Sequence, residues 1–482
     1  MKPEFPLAFL LYLGLLLAAG LLFPKRFRDF ESFFLASRRL GAPRIAFSLC
    51  AAWIGAASLL VSTDQACREG LSAYWIIGLP AVLTLLLLLP LAGAIRDLGG
   101  STISDVMEAR YGRAARPVTT ALIVWYMVVL AASQMVAAGD FLKVFLGTSY
   151  LTSLAVAAGA VLIYLGAGGF LSVVRTHALQ FFLLLAGIAG LTVSLGLRSS
   201  WSEVAALAGR QGKAGYFNAF AHADRNALIA LSFVLAWTIS PIAWQRIQAA
   251  RTVASARRGV GAAALFLALF YAGIVLAGML FLPLFPSRRS ANPVVSDYIA
   301  FRAGPAMGGL IFVAVLAAIL STMAAALNTG AFSLSRDLLR YRRREAGGAP
   351  SVALGRAATL LVGGAAFLAA TRFEDILTTQ GLASKIMAEG LFIPGLAAVF
   401  MKKRAPLAGL LSLLSGGGYA AVCFFSESGV LPLPLPPWPR SLPVGLALGT
   451  GGFILGSALE ALKRTRRLRD SRLDISPPID KS

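Results

Sequence analysis

Between positions 317 and 328 the chain reads Ala317-Ala318-Ile319-Leu320-Ser321-Thr322-Met323-Ala324-Ala325-Ala326-Leu327-Asn328. In a helix the carbonyl of residue i lies beside the side chains at i+3 and i+4. The Ala318 carbonyl and the hydroxyls of Ser321 and Thr322 can therefore converge. Three neutral oxygens suit a small hard monovalent cation, by the same oxygen preference that governs Ca²⁺ and Mg²⁺. No carboxylate is needed for a single charge, and weak binding permits release. Ser and Thr hydroxyls also bond back to a carbonyl one turn earlier, a common habit in membrane helices. Spacing alone favours that plainer outcome.

Lys385 and Glu389 are a second pair with chemical potential, four residues apart on one helix face. Each would cost ~2.5–3.5 kcal/mol at a bilayer centre. Two readings stand at even odds: a structural ion pair locking helices together, or a substrate or gating role in which the ammonium holds a solute carboxylate. Asp64 and Gln65 are similar candidates that also reach external water. Asp140 and Lys143, at the end of an apolar stretch, read as solvated. Gln134 lies deeper and faces either a cavity or a neighbouring helix.

The surrounding chain has 482 residues, 57% hydrophobic and only 14% charged. Soluble domains carry about 25% charged residues, so soluble enzymes, disordered chains and fibrous proteins fit poorly. A helical crossing needs ~20 apolar residues, and the length describes one polytopic membrane domain. A net charge of +22 would suggest nucleic acid in a soluble protein. Between apolar spans it is the Lys/Arg excess of cytoplasmic loops, and no nucleic-acid partner is expected. Two histidines (His177, His222) argue against a multi-histidine metal or haem centre. Cys50, Cys67 and Cys423 form neither a CxxC pair nor a disulfide framework.

Thirteen apolar segments are predicted as helical spans, at 6–23, 43–66, 73–95, 117–147, 150–168, 178–197, 227–246, 259–284, 307–332, 352–371, 376–400, 405–426 and 441–462. The first is not a cleaved signal, because Pro24-Lys25-Arg26 follows it in place of small residues. With the N-terminus outside, 31 of the 44 Lys and Arg residues fall inside. The positive-inside rule therefore predicts a plasma-membrane protein with its N-terminus out and its C-terminus in the cytoplasm. Loops 198–226 and 285–306 would be external. Leu431 to Pro439 reads as a stiff external connector, and 470–482 as a polar tail.

Two segments carry interruptions. The second reads Trp53-Ile54-Gly55-Ala56-Ala57-Ser58-Leu59-Leu60-Val61-Ser62-Thr63-Asp64-Gln65, apolar first and polar from Ser62. The seventh reads Trp237-Thr238-Ile239-Ser240-Pro241-Ile242-Ala243-Trp244-Gln245-Arg246, where Pro241 removes a helix hydrogen bond. Irregular backbone at membrane depth implies a cavity or protein burial. Broken helices at corresponding positions of two halves point to the binding site of an inverted-repeat transporter. Spans two to six and seven to eleven would form that core, with spans one, twelve and thirteen added. The predicted organisation is 1–42, an extra helix and loop; 43–197, a first repeat; 198–226, an external loop; 227–400, a second repeat; and 401–482, two extra helices and a tail. A proline kink plus a snorkelling polar end would explain either interruption alone.

Five stretches, in order, resemble the sodium:solute symporter family, which contains sodium-coupled sugar, proline and pantothenate carriers. They are Phe33-Phe34-Leu35-Ala36-Ser37-Arg38-Arg39-Leu40-Gly41; Thr102, Asp105 and Arg110-Tyr111-Gly112; Gly168-Gly169 through Thr176-His177 to Gln180; Pro241 with Gln245-Arg246; and Ala318 through Ser321-Thr322 to Asn328 and Asp337. The resemblance implies an all-α LeuT-type five-plus-five inverted repeat and sodium-driven import. It implies one sodium ion held by Ala318, Ser321 and Thr322, completed by the carbonyls of Ala56 and Leu59. Two departures stand out. His177 occupies a position where the family usually has Asp, near the expected inner cation exit. Lys385 with Glu389 has no counterpart in the family pattern.

The expected function is alternating-access import of a small organic solute with sodium as the co-transported ion. Spans two, four, seven and eleven would line the cavity. Ser58, Ser62, Thr63, Gln134, Trp237 and Lys385 are the candidate solute contacts, and Asp64, His177, Glu389 and Pro241 the gating or ion-pair candidates. Lys385 leans the solute toward a carboxylate. Proton-coupled or uncoupled transport is the first alternative. A transporter-like sensor is the second, and it would need a signalling domain or partner that the basic tail does not supply. No obligate protein partner is evident. No paired-carboxylate loop motif, metal cluster or nucleophile elbow suggests an enzyme.

Overall fold

The computed structural model describes residues 4–21, 40–98, 102–288, 290–339, 352–373, 375–401 and 403–473. Phe33 to Arg39, most of the first basic loop, residues 340–351 and the tail from 474 lie outside the described residues, as do the side chains of 167–172, 174 and 175.

The described chain is helical throughout. Its one β-type pairing is an isolated bridge between Leu40 and Ala250. In order, the helices are α1 (Glu4–Leu21), α2 (Ala42–Trp53), α3 (Ser62–Glu69), α4 (Gly78–Asp97), α5 (Ile103–Tyr111), α6 (Ala115–Leu146), α7 (Tyr150–Gly196), α8 (Trp201–Arg210) and α9 (Ala223–Thr238). There follow α10 (Pro241–Gln248), α11 (Val253–Met279), α12 (Val294–Phe301), α13 (Pro305–Phe332), α14 (Val352–Ala370), α15 (Ile376–Gly390), α16 (Phe392–Phe400), α17 (Pro406–Glu427) and α18 (Leu442–Leu473). By length and composition, nine helical stretches among the described residues could cross a membrane, ten if the pair α15–α16, bent by 47°, is one span. Glu4–Ala19 and Tyr150–Gly166 are shorter apolar helices. The described residues of each of the thirteen predicted segments fall mostly on helical structure.

Fifth and sixth segments share α7. Straight, its 47 residues would run ~70 Å, more than twice the bilayer core of ~30 Å. Yet Tyr164 lies against Thr176, twelve residues on, so the helical chain doubles back between them. The returning half packs antiparallel on α13. A Cβ on Gly187 would stand 2.1 Å from the Ala314 Cβ, so only glycine allows the two helices this close.

α13 is the centre of the molecule, with an unbroken buried run from Ala314 to Phe332. Around it lies the apolar core, and outside that a belt of exposed leucines such as Leu86, Leu87, Leu265, Leu269, Leu360 and Leu361. Large contiguous apolar surface is rare on soluble monomers; here it is the lipid-facing surface.

The resembling stretches acquire physical roles. Thr102 and Asp105 form a capping box that starts α5. Tyr111 donates to the Pro394 carbonyl at 2.7 Å and Arg110 to that of Ala398, docking α5 on α16. Arg116 reaches Asp105 and Asp337, each at 2.9 Å, and also Glu108. Arg336 reaches Asp105 and Asp337. This charge cluster ties α5, the start of α6 and the end of α13 together.

Candidate cation and solute site

Both interruptions are real breaks, placed by local chemistry. α2 ends at Ile54, and a π-helical turn, Ala57–Val61, leads into α3. Gly55 sits in the break. A Cβ there would stand 2.7 Å from Gln134 Oε1 and 2.8 Å from Thr322 Oγ1, so the missing side chain is what lets α6 and α13 approach. α9 stops at Thr238, Ser240 is extended, and Pro241 opens α10 in its first turn. Proline is at home there because that N–H would have no helical partner. The Thr238 carbonyl released at the break accepts from Trp244 Nε1 at 3.0 Å.

The breaks face one another across a small cavity of about 30 Å³. It is lined from the first break by Trp53, Gly55, Ala57 and Ser58, and from α6 by Tyr126, Leu130 and Gln134. Trp237, Ser240 and Ile242 come from the second break, Thr322 from α13 and Gln380 from α15. The four spans expected to line the cavity do so, and the ninth joins them through Thr322. Trp53 and Trp237 pair at 6.0 Å between centroids. Gln134 accepts from the freed Ala56 N–H at 2.9 Å, which satisfies a donor that the break exposes.

A vestibule of about 780 Å³ lies directly beyond, lined by Leu60, Val61, Asp64, Ala137, Asp140 and Leu377 among others. On three elements the vestibule residue is one turn from a cavity residue: Val61 beyond Ser58, Ala137 beyond Gln134, Leu377 beyond Gln380. On the opposite side a pocket of only about 10 Å³ follows one turn past Tyr126, at Ile123, with Pro241, Trp244, Gln245 and Thr329. The three spaces form one column, wide at the Asp64 end and shut at the end where the arginine–carboxylate cluster sits.

The predicted oxygens on α13 converge. Ser321 Oγ is 2.9 Å from the Ala318 carbonyl and 2.8 Å from the Ala51 carbonyl. Thr322 Oγ1 is buried without a hydrogen-bond partner and stands against Gly55. The contact drawn between α2 and α13 is thus at Ala51, five residues before the expected Ala56. The Leu59 carbonyl accepts from Thr63 Oγ1 at 2.5 Å, with a second lone pair left to it. His177 Nε2 lies 3.1 Å from the Ser321 carbonyl, so this ring is held against α13 from α7. The carbonyl can only accept, so Nε2 carries the hydrogen.

Of the expected solute contacts, Ser58, Gln134 and Trp237 line the cavity. Ser58 also meets Tyr271 Oη at 2.7 Å. Ser62 and Thr63 do not line it: their hydroxyls fold back on the carbonyls of Ala57 and Leu59, because the π-helical turn leaves those acceptors within reach. Lys385 does not line it either. Its ammonium is 3.3 Å from Glu389, bonds the Ser441 hydroxyl and lies over the Tyr419 ring. α15 turns this face to α17 and α18, so the geometry follows the structural-pair reading of Lys385. Asp64 bonds Arg288 and Arg68, each at 2.8 Å, and the Val294 N–H, linking α3 to the loop before α12 at the mouth of the vestibule. Sequence reasoning missed Trp53, Tyr126, Ser240 and Gln380. Trp53 and Ser240 adjoin the two breaks and were findable by that signal; Tyr126 and Gln380 sit in ordinary apolar helix and carry none.

The chain is similar to known transporters in sequence and in fold. It is 26% identical to the high-affinity proline transporter PutP of Bacillus subtilis (strain 168), over 84% of this chain and 89% of that one. It is 25% identical to the sodium/iodide cotransporter of Homo sapiens, over 94% and 74%. In fold it superposes with a TM-score of 0.78 on a Na⁺-coupled sialic acid symporter in a substrate-bound outward-open state, covering 95% of this chain and 97% of that chain at 17% identity. For Mhp1, a nucleobase-cation-symport-1 family transporter, the TM-score is 0.55, covering 89% and 95% at 15% identity. These are LeuT-type folds, the five-plus-five inverted repeat expected from the paired breaks. The family model of the sodium:solute symporters matches residues 33–416, and the chain belongs to the sodium:solute symporter family.

Proposed function

We propose that sodium binds between the first break and α13, with ligands from Ala56, Leu59, Ala318, Ser321 and Thr322, and that the solute binds beside it in the cavity between the two breaks. The observation that carries this is Thr322 Oγ1, which is buried, unpartnered and shared by the cation site and the cavity wall. An unsatisfied buried hydroxyl costs ~1–3 kcal/mol, and a bound cation removes that cost. Sodium-coupled import by alternating access then follows. The column open at Asp64 and shut at the arginine cluster is the outward-facing state. Sodium tethers the first break to α13 and completes the cavity. Inward opening separates Ser321 and Thr322 from the first break and releases both cargoes. With a neutral solute, one sodium charge gains ~2.3 kcal/mol per 100 mV, enough for roughly fifty-fold accumulation.

This reading carries thirteen crossings of the plasma membrane, the N-terminus outside and the C-terminus inside, with repeats at 43–197 and 227–400. Uptake of a solute mixture into proteoliposomes, compared in sodium and in choline media, is the test. Accumulation confined to sodium medium supports it. Equal accumulation in choline would leave proton coupling or uncoupled transport by the same fold. The double variant Ser321→Ala/Thr322→Ala should raise the sodium concentration for half-maximal uptake at least tenfold.

A further inference from the structure

The connector between α17 and α18 reaches the wall of the central cavity without lining it. Five of the nine residues from Leu431 to Pro439 are proline, and such a segment is a semi-rigid spacer. Most of it is exposed, and the half-buried Trp438 is its anchor. The Trp438 backbone N–H donates to Glu427 at 3.1 Å, which ties the connector back to the end of α17. Three residues further on, Ser441 bonds Lys385 of α15 and α18 begins. The tryptophan is therefore held from both sides along the chain.

Its ring is wedged between α9 and α15. On α15 the seat is Gly381: a Cβ there would stand 2.5 Å from the ring, so any other residue would displace it. On α9 the indole N–H donates to Ser232 Oγ at 3.0 Å, and the ring meets that of Phe233 at 5.7 Å between centroids. Both seats adjoin the cavity. Gln380, next to Gly381, lines it, and Phe233 stacks at 4.8 Å on Trp237, which lines it one turn further along α9. Past Trp237 the chain runs on to Gln245 at the shut end of the column, so the wedge sits on the vestibule side. In a close-packed interior α15 cannot roll about its axis without expelling the ring from its seat. Given that the solute occupies the cavity as proposed above, we infer that Trp438 is a positioning residue for the solute site: the proline-rich connector holds its ring between α9 and α15, and the ring sets where Trp237 and Gln380 stand in the cavity wall.

The test is the labelling rate of a Gln380→Cys reporter by a small hydrophilic thiol reagent, in the full-length protein in detergent, the three native cysteines being buried. Trp438→Ala should speed labelling at least about tenfold, the factor that one aromatic contact and one hydrogen bond together supply. Trp438→Phe keeps a ring on Gly381 and loses the bond to Ser232, so labelling should stay within about threefold of the reporter alone. An Asn292→Cys reporter, in the loop before α12, is the control and should change less than about twofold, as distant sites do. Unchanged labelling of Gln380→Cys in Trp438→Ala overturns the inference. Equal acceleration at both reporters, which is general loosening, overturns it too, as does Trp438→Phe labelling as fast as Trp438→Ala. Where Trp438→Ala yields no folded protein, Gly381→Ala pushes a methyl into the same seat and carries the same expectation and the same reversal. Labelling needs neither sodium nor solute, so its failure is distinct from a failure of the sodium and choline comparison that tests the solute site.

Discussion

Two buried polar regions of this protein are built on opposite principles. Around the central cavity the polar groups are neutral, and one of them, Thr322 Oγ1, is buried without a partner. Between α15, α17 and α18 the polar groups include a fixed ion pair, Lys385 with Glu389, and the ammonium also meets Ser441 and Tyr419. There Glu389 packs so tightly that a Cβ on Gly445 would fall within 2.2 Å of its carboxylate oxygen. A charge fixed in the protein cannot leave, so it serves to lock helices. A charge that must come and go needs oxygens that are neutral when it has gone. On the proposed reading, the contrast separates the transport path from the frame that holds it.

The largest expected effect breaks the frame. Lys385→Met leaves the Glu389 carboxylate buried without its cation, which costs about 3–5 kcal/mol. Thermal unfolding in detergent should show a large fall in Tm, and Lys385→Met/Glu389→Leu should recover most of it. Solute KM in the double variant should stay within about twofold. A raised KM with unchanged Tm would instead place Lys385 on the transport path.

A smaller effect sharpens the other side. Gly55→Ala puts a methyl against Thr322 Oγ1 and Gln134 Oε1, and overpacking of this kind costs about 1–3 kcal/mol. ²²Na⁺ binding should weaken about tenfold or more, with a smaller fall in Tm than Lys385→Met gives. Full-strength sodium binding would show that the first break does not touch the ion.

The smallest effect is at the vestibule mouth. Asp64→Asn removes the charge that joins Arg288 and Arg68 to α3, worth about 1 kcal/mol in a half-exposed setting. An Asn292→Cys reporter should label several-fold faster with a membrane-impermeant thiol reagent, since the three native cysteines are buried. Unchanged labelling would mean that the loop is held by packing alone.

Much of this architecture was legible from residue type. Apolar runs fixed the helices because lipid forces every backbone group to pair within its own segment. Pro241 and the Gly55 region marked the breaks because one lacks a donor and the other a side chain. The i+3 and i+4 spacing of Ser321 and Thr322 from Ala318 gave the convergence of their oxygens, and only the family resemblance pointed from that to a cation. What went astray depended on direction. Ser62 and Thr63 belong to the polar half of their span, but a π-helical turn rotates them onto their own backbone. Lys385 and Glu389 share a helix face, and nothing along the chain says which neighbour that face meets.

By itself, then, the amino-acid order determined a multi-span helical membrane protein, its two breaks and the convergence of the Ala318, Ser321 and Thr322 oxygens on one helix, since each depends on groups within a turn of one another. Only tertiary structure decided which hydroxyl kept a free lone pair, that Ala51 meets Ser321, that Tyr126 and Gln380 close the cavity, and that Lys385 faces away from it. Those outcomes depend on how helices rotate against each other, and rotation is set by close packing such as that of Gly187 on Ala314, across more than a hundred residues of intervening chain.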